Sequence, residues 1–386
     1  MNNPAFDDLR PYIQAEIPPA MQRIAESEYF PVMAQFIFPG KNVEEVRNTV
    51  RQITTTHEFQ MEIMYYFNKV VIERYADSFA FSGLDHLDTE RNYLFISNHR
   101  DIMLDSSLLQ YMLYINGFNT TEITFGDNLM SSQLIIDIGK TNKMFKVIRG
   151  GNMRDFYRNS LHLSKYLHHT ITEKKESVWI AQRGGRTKDG NDMTDQGIIK
   201  MFCMDDSDNP VHSADELNIV PVAISYQIES CDILKTRELY QSLNGVKYIK
   251  QKGEDLHSIL AGITQQKGNI HFHVCEPIRR SELEAIEYKQ PNEFYKSLAT
   301  MIDRRIHKNY KLHNNNYIAH DLLSGKDTFS AHYTHEEKTA FIARTEEMLR
   351  QVEGEKEILT SIYLGIYANP VGNQLGIRNY ELGIKN

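Results

Sequence analysis

The chain is short of several things, and each absence narrows what it can be. Nowhere in its 386 residues is there an uninterrupted apolar run of the roughly 20 residues that a spanning helix needs. The first residues, Met1-Asn2-Asn3-Pro4-Ala5-Phe6-Asp7-Asp8, lack a basic region followed by an apolar core, so no signal peptide is expected. Cys203, Cys231 and Cys275 lie far apart and form no CxxC pair, which points to a reducing compartment and away from zinc. A net charge of -8 excludes a global nucleic-acid-binding field. There is no fixed-period repeat and no low-complexity linker. What remains, with 41% hydrophobic and 24% charged residues, is ordinary globular composition, enough for one large domain with additions or for two domains.

Texture divides the chain into three parts. Residues 1–85 read as a helical N-terminal region. From Val43 to Val71 apolar residues recur at spacings of three and four, a helix stripe that follows Pro39-Gly40. Residues 86–280 alternate short apolar runs with helix-length segments. Strands are expected at 93–97, 121–125, 145–149, 177–182, 219–226 and 269–275, with helices near 104–116, 153–170 and 195–203. That alternation predicts an α/β fold, a mixed, mostly parallel sheet covered by helices, with ligand chemistry on loops beyond the strand ends. Residues 281–386 read as a helical C-terminal region in which Asn369-Pro370-Val371-Gly372 breaks the pattern.

The densest chemistry follows the first of these strands, in Ser97-Asn98-His99-Arg100-Asp101-Ile102-Met103-Leu104-Asp105. A histidine fixed at a strand end, with a carboxylate to hold its tautomer, can act as a general base. A single histidine beside a strand is more often structural. The His-Arg-Asp triplet also occurs in kinase catalytic loops. However, no glycine-rich loop precedes it, no Asp-Phe-Gly follows, and no Asn stands at the kinase spacing. Either Asp105 or Asp101 can orient His99. Asp101 more naturally caps the following helix through its amides, which favours Asp105.

Three later segments carry polar groups at strand ends. Phe125-Gly126-Asp127-Asn128-Leu129 reads alone as an Asx turn. Ala181-Gln182-Arg183-Gly184-Gly185-Arg186-Thr187 pairs two glycines with arginines. Glycine permits close backbone approach to a ligand, and a guanidinium such as Arg186 can hold a phosphate bidentately. Alone it reads equally well as a basic surface turn. Ile219-Val220-Pro221-Val222-Ala223-Ile224 is a buried strand. His271 and His273 alternate with Phe272 and Val274, which places them on the solvated face of a strand and not in a metal pair.

Together, in this order, these segments resemble the blocks of the glycerolphosphate and lysophosphatidate acyltransferases, from about residue 93 to 278. The family's first block reads Asn-His, four residues, then Asp. Here five residues separate His99 from Asp105, one too many. The family's glutamate before the glycines is absent, its place taken by Arg183 or Gly185 depending on alignment. This chain is therefore a divergent member by resemblance.

The resemblance implies the acyltransferase fold and transfer of a fatty acyl group from a thioester to a hydroxyl of glycerol-3-phosphate or a lysophospholipid. It implies His99 as base, Asp105 as its orienting partner, and Arg186, Gly184, Gly185, Arg183, Asn128 and Arg149 around the acceptor. Amides at the start of the 104–116 helix are expected to meet the oxyanion. No cofactor and no metal are expected; the acyl donor is acyl-CoA or acyl carrier protein. The partners implied are a lipid acceptor and the membrane surface, with a peripheral place on the inner face of the cytoplasmic membrane. Two alternatives stay open. One is an O-acyltransferase for an aminolipid or other hydroxylated lipid. The other is a catalytically weak lipid-binding homologue. Two further segments have two readings each. Tyr29-Phe30 with Phe36-Ile37-Phe38 either dips into the interface or packs inward. Arg304-Arg305 with His307-Lys308 either meets anionic groups or is a solvated helix end.

Overall fold

The computed structural model describes residues 3–148, 150–243 and 248–376. Seven strands form one sheet: β1 Ser78–Ser82, β2 Leu94–Ser97, β3 Glu122–Gly126, β4 Met144–Val147, β5 Val178–Ala181, β6 Ile219–Tyr226 and β7 Asn269–Val274. Their order across the sheet is β1-β7-β6-β2-β5-β3-β4. The five strands β2 to β6 run parallel, and β2, the middle strand of the seven, lies between β6 and β5. β7 pairs with β6 in the antiparallel sense and carries β1 parallel to itself at the edge. The expected mixed, mostly parallel sheet covered by helices is the observed architecture.

The alternation of side chains across the pleat explains the layers. Phe95 of β2 and Val220, Val222 and Ile224 of β6 face one side. There they pack with helix Leu104–Ile115 and with the N-terminal helices Ile17–Glu26, Phe30–Ile37 and Val43–Gln52. Leu94 and Ile96 of β2 and Ile219 and Ala223 of β6 face the other. That side is covered by helices Met153–His168, Gln196–Phe202 and Pro291–Asn309. A third apolar cluster joins helices Asn314–Ser324, His335–Leu349 and Lys356–Leu375.

Several sequence-based boundaries move. The helical reading of residues 1–85 misses β1, which alternates exposed and half-buried residues at the sheet edge. The stripe from Val43 to Val71 is not one helix. Ile53 ends the first at Gln52, and Thr55 then opens a new one with a capping box to Glu58. Asn369-Pro370-Val371-Gly372 does not break the last helix, which runs through Pro370 to Leu375 and is buried from Ile362 to Gly372. Packing on all sides compensates the hydrogen bond that proline forfeits. The aromatic cluster near residue 30 packs inward: Phe30 is buried, Phe36 stacks on Tyr75, and Tyr29 and Val32 stay exposed.

Candidate functional site

In a sheet of this kind the carboxyl ends of the parallel strands form one rim. β2 delivers His99 to it, two residues past Ser97. The imidazole Nδ1 lies 2.9 Å from Asp105 Oδ2. The same oxygen accepts the amides of Arg100 at 2.6 Å and Asp101 at 2.9 Å. The other oxygen, Oδ1, accepts the hydroxyl of Tyr226 at 2.9 Å. An ionised carboxylate only accepts, so a neutral imidazole facing it carries its proton on Nδ1 and keeps its lone pair on Nε2. Burial and the neighbouring Asp105 charge push the Tyr226 hydroxyl well above its ordinary range, so it stays a donor.

The extra residue between His99 and Asp105 has a structural account. Asp101 Oδ1 accepts the amides of Met103 at 2.9 Å and Leu104 at 2.8 Å, closing residues 101–104 into a cap. The turn is absorbed there, and Asp105 in the first helical turn returns to the imidazole. Asp101 faces away from the ring: its Oδ2 takes the hydroxyl of Ser230. A Cβ on Gly262 would lie 2.2 Å from that oxygen, so only glycine admits the carboxylate there. The expectation that amides at the start of this helix meet the oxyanion is narrowed by this geometry. The amides of Met103 and Leu104 are engaged by Asp101 and are not available to an oxyanion.

A second, fully buried set of charges backs the histidine loop. Arg100 reaches Asp192 at 2.5 Å and Glu229 at 3.4 Å, with its guanidinium 5.3 Å from the centre of the Tyr310 ring. Lys235 binds Glu229 at 2.5 Å and the carbonyl of Arg100 at 2.8 Å. Burial opposes the charge on Arg100, but Asp192 and Glu229 outweigh it and raise the group well above its ordinary value. Asn98 bridges to the backbone of Ile224 in β6 through both its amide atoms, each at 2.8 Å. None of Tyr226, Arg100, Asp192, Glu229 and Lys235 was legible as a site residue. The one available signal was a tyrosine ending a buried strand, whose hydroxyl needs a partner.

β5 delivers the glycine–arginine loop to the same rim. Thr187 donates its amide to the carbonyl of His99 at 2.7 Å, which brings Arg186 next to the histidine segment. Nη1 of Arg186 is buried with no hydrogen-bond partner among the described residues. Gly184 is exposed and Arg183 half-buried. A Cβ at Gly184 or Gly185 would meet nothing within 4 Å, so the loop opens onto free space. Its far end is clamped. Gly190 has a φ of +80°, and a Cβ there would lie 2.1 Å from the carbonyl of Ile366 in the last helix. Asn369 of the same helix donates to the carbonyl of Asp189 at 2.7 Å.

The remaining candidates divide. Asn128, past β3, is exposed and donates to Asp255 at 3.3 Å. Arg149 lies outside the described residues. His271 and His273 share the hydroxyl of Ser82, at 3.2 and 2.8 Å, and are half-buried. No group of three metal-ligating side chains occurs among the described residues. The basic run near residue 305 divides: Arg305 pairs with Glu282 at 2.6 Å and His307 donates to the carbonyl of Asp192 at 2.6 Å, while Arg304 and Lys308 are exposed.

A histidine–carboxylate pair thus lies at the end of a central strand, with a glycine–arginine loop at the end of the neighbouring strand. Residues 78–225, from the start of β1 into β6, match the Acyltransferase family model. No curated protein matches the chain significantly. Among solved structures, it is similar to the 1-acyl-sn-glycerophosphate (LPA) acyltransferase PlsC from Thermotoga maritima. The identity is 11% and the TM-score 0.38, with 75% of this chain and 95% of that chain covered.

Proposed function

We propose that this chain is an O-acyltransferase of glycerolipid synthesis. It moves a fatty acyl group from acyl-CoA or acyl carrier protein to a hydroxyl of glycerol-3-phosphate or of a lysophospholipid such as lysophosphatidate. The observation that carries this reading is the His99–Asp105 pair, in which Nδ1 is bound at 2.9 Å and Nε2 is left for the acceptor.

An alcohol is a poor nucleophile near neutral pH and needs a base within hydrogen-bond reach. His99 Nε2 takes the hydroxyl proton as the acceptor oxygen attacks the thioester carbonyl. The tetrahedral species collapses, the C–S bond breaks, and the imidazolium returns the proton to the departing thiolate. No acyl-enzyme is required. The thiols of Cys203 and Cys275 are pushed up to about 12 by burial and are unsuited as nucleophiles. Arg186, with a buried and unpartnered nitrogen, supplies the counter-charge for an acceptor phosphate. Asp105 and Tyr226 position the ring without touching substrate. The chain works from the surface of a bilayer: no helix among the described residues is long and apolar enough to cross one.

The test is thiol release from acyl-CoA and acyl carrier protein with a panel of acceptors. Acceptor-dependent release, fastest with a phosphate-bearing acceptor, is expected. Preference for a hydroxylated aminolipid would move the acceptor assignment. Tight lipid binding with no turnover from either donor would overturn the enzymatic reading.

A further inference from the structure

Helix Met153–His168 packs on the sheet through Leu163, Tyr166 and Leu167, all buried. The stripe that carries Leu163 and Leu167 does not stop where the sheet stops. It continues toward the helix start through Ser160, Phe156 and Met153, at alternating spacings of three and four. Met153 is 89% exposed and Phe156 61%, and Tyr157 beside them is 59% exposed. No other five-residue stretch of the described chain exposes three large apolar side chains.

The topology explains the overhang. This helix leaves the carboxyl end of β4 and returns toward the amino end of β5, and both strands run parallel to β2. Its first turns therefore stand on the rim that carries His99 and the Arg183–Gly190 loop, beyond the reach of the sheet that covers its later turns. Exposed Arg154 and Arg158 stand on the adjoining face, with Asp155 reaching Arg158 at 3.2 Å.

We propose that the Met153–Arg158 overhang is the surface by which this protein docks on an anionic bilayer. Met153, Phe156 and Tyr157 enter the boundary between headgroups and acyl chains, and Arg154 and Arg158 meet the anionic headgroups. Docking there turns the rim, and with it His99, toward the membrane that holds a lipid acceptor. The inference rests on the proposed lipid substrate for its purpose. Its physical basis, an uncovered apolar stripe flanked by arginines at the site rim, is independent of the chemistry.

The test uses the full chain and vesicles of phosphatidylcholine with or without phosphatidylglycerol. The combined variant Met153→Ser, Phe156→Ser, Tyr157→Ser should lose binding to the anionic vesicles by at least about tenfold. Its activity on a lysophospholipid dispersed as monomers should stay unchanged. In Phe156→Trp, emission from the new indole should be quenched by brominated lipid. Undiminished vesicle binding by the triple variant would overturn the proposal, as would an unquenched Trp at 156. So would loss of binding in Tyr29→Ser, Val32→Ser instead, or a defect confined to the carrier-protein donor with vesicle binding intact. Absent acyl transfer in every presentation, alongside a triple variant that no longer binds vesicles, would sink the enzymatic reading and leave the docking surface standing.

Discussion

Asp105 and Arg186 belong to the same rim, yet one has its oxygens occupied by four donors while a terminal nitrogen of the other has no partner among the described residues. The histidine segment is over-determined. Asp105 binds ring, backbone and Tyr226, Asp101 seals the turn, and Lys235 holds the carbonyl of Arg100. The glycine–arginine loop is fixed at Thr187 and Gly190 and open between Arg183 and Arg186. Asp105, which holds one geometry, is satisfied by the protein. In the function proposed above, the unsatisfied Arg186 nitrogen is the group that meets the acceptor phosphate, at a cost in stability.

The sharpest way to break the contrast is Asp105→Asn. An amide has a single acceptor atom, so it cannot take the three donors on Oδ2 and the Tyr226 hydroxyl together, and it holds the imidazole proton on Nδ1 less firmly. A fall in kcat on the order of 10³-fold is expected, read by steady-state thiol release. A rate near that of the unmodified protein would mean the over-determined half is scaffolding alone. Next is Gly190→Ala, which drives a methyl group into the Ile366 carbonyl at a positive φ. A loss of about 3 kcal/mol in urea unfolding is expected, together with a raised KM for the acceptor. Unchanged stability would show that the last helix does not clamp the loop.

A pH prediction follows from His313, whose imidazole is pushed down to about 4 by burial and by nearby Lys311 and His271. Its folded value lies below its unfolded one, so the unfolded chain binds more protons in between. The stabilisation is full above the ordinary histidine range and is lost as pH falls toward 4. Going from about pH 7.5 to about pH 5 should cost about 2 kcal/mol. His313→Gln should flatten that slope, and an unaltered slope would contradict it. The smallest effect is expected in the open half. Arg186→Lys keeps the charge but loses the planar fork, so KM for a phosphate acceptor should rise about tenfold. KM for the donor should not move, and equal changes in both would remove Arg186 from the acceptor site.

The legible parts were those set by local pattern. Six of the seven strands lie where short apolar runs flanked by turns predict them; β2, β5 and β6, buried throughout, read as continuous apolar segments. β1 was not legible: Ser78-Phe79-Ala80-Phe81-Ser82 is short, half exposed, and paired on one side only, with β7. His99, Asp105 and Arg186 could be found because each stands next to a strand end in a local motif. Tyr226, Asp192, Glu229 and Lys235 act through contacts closed by the fold across scores of residues. No spacing in the sequence encodes those contacts. The uncovered start of the Met153–His168 helix was hidden for the same reason. Its stripe is continuous in sequence, and only the position of the sheet decides which half is buried.

The most direct measurement is thiol release by His99→Ala, with the acceptor that the unmodified chain uses best and with melting temperature recorded alongside. The account predicts a loss of roughly 10³-fold or more in kcat, with the fold retained. Thiol release at the rate of the unmodified protein, acceptor-dependent and from a folded variant, would contradict it.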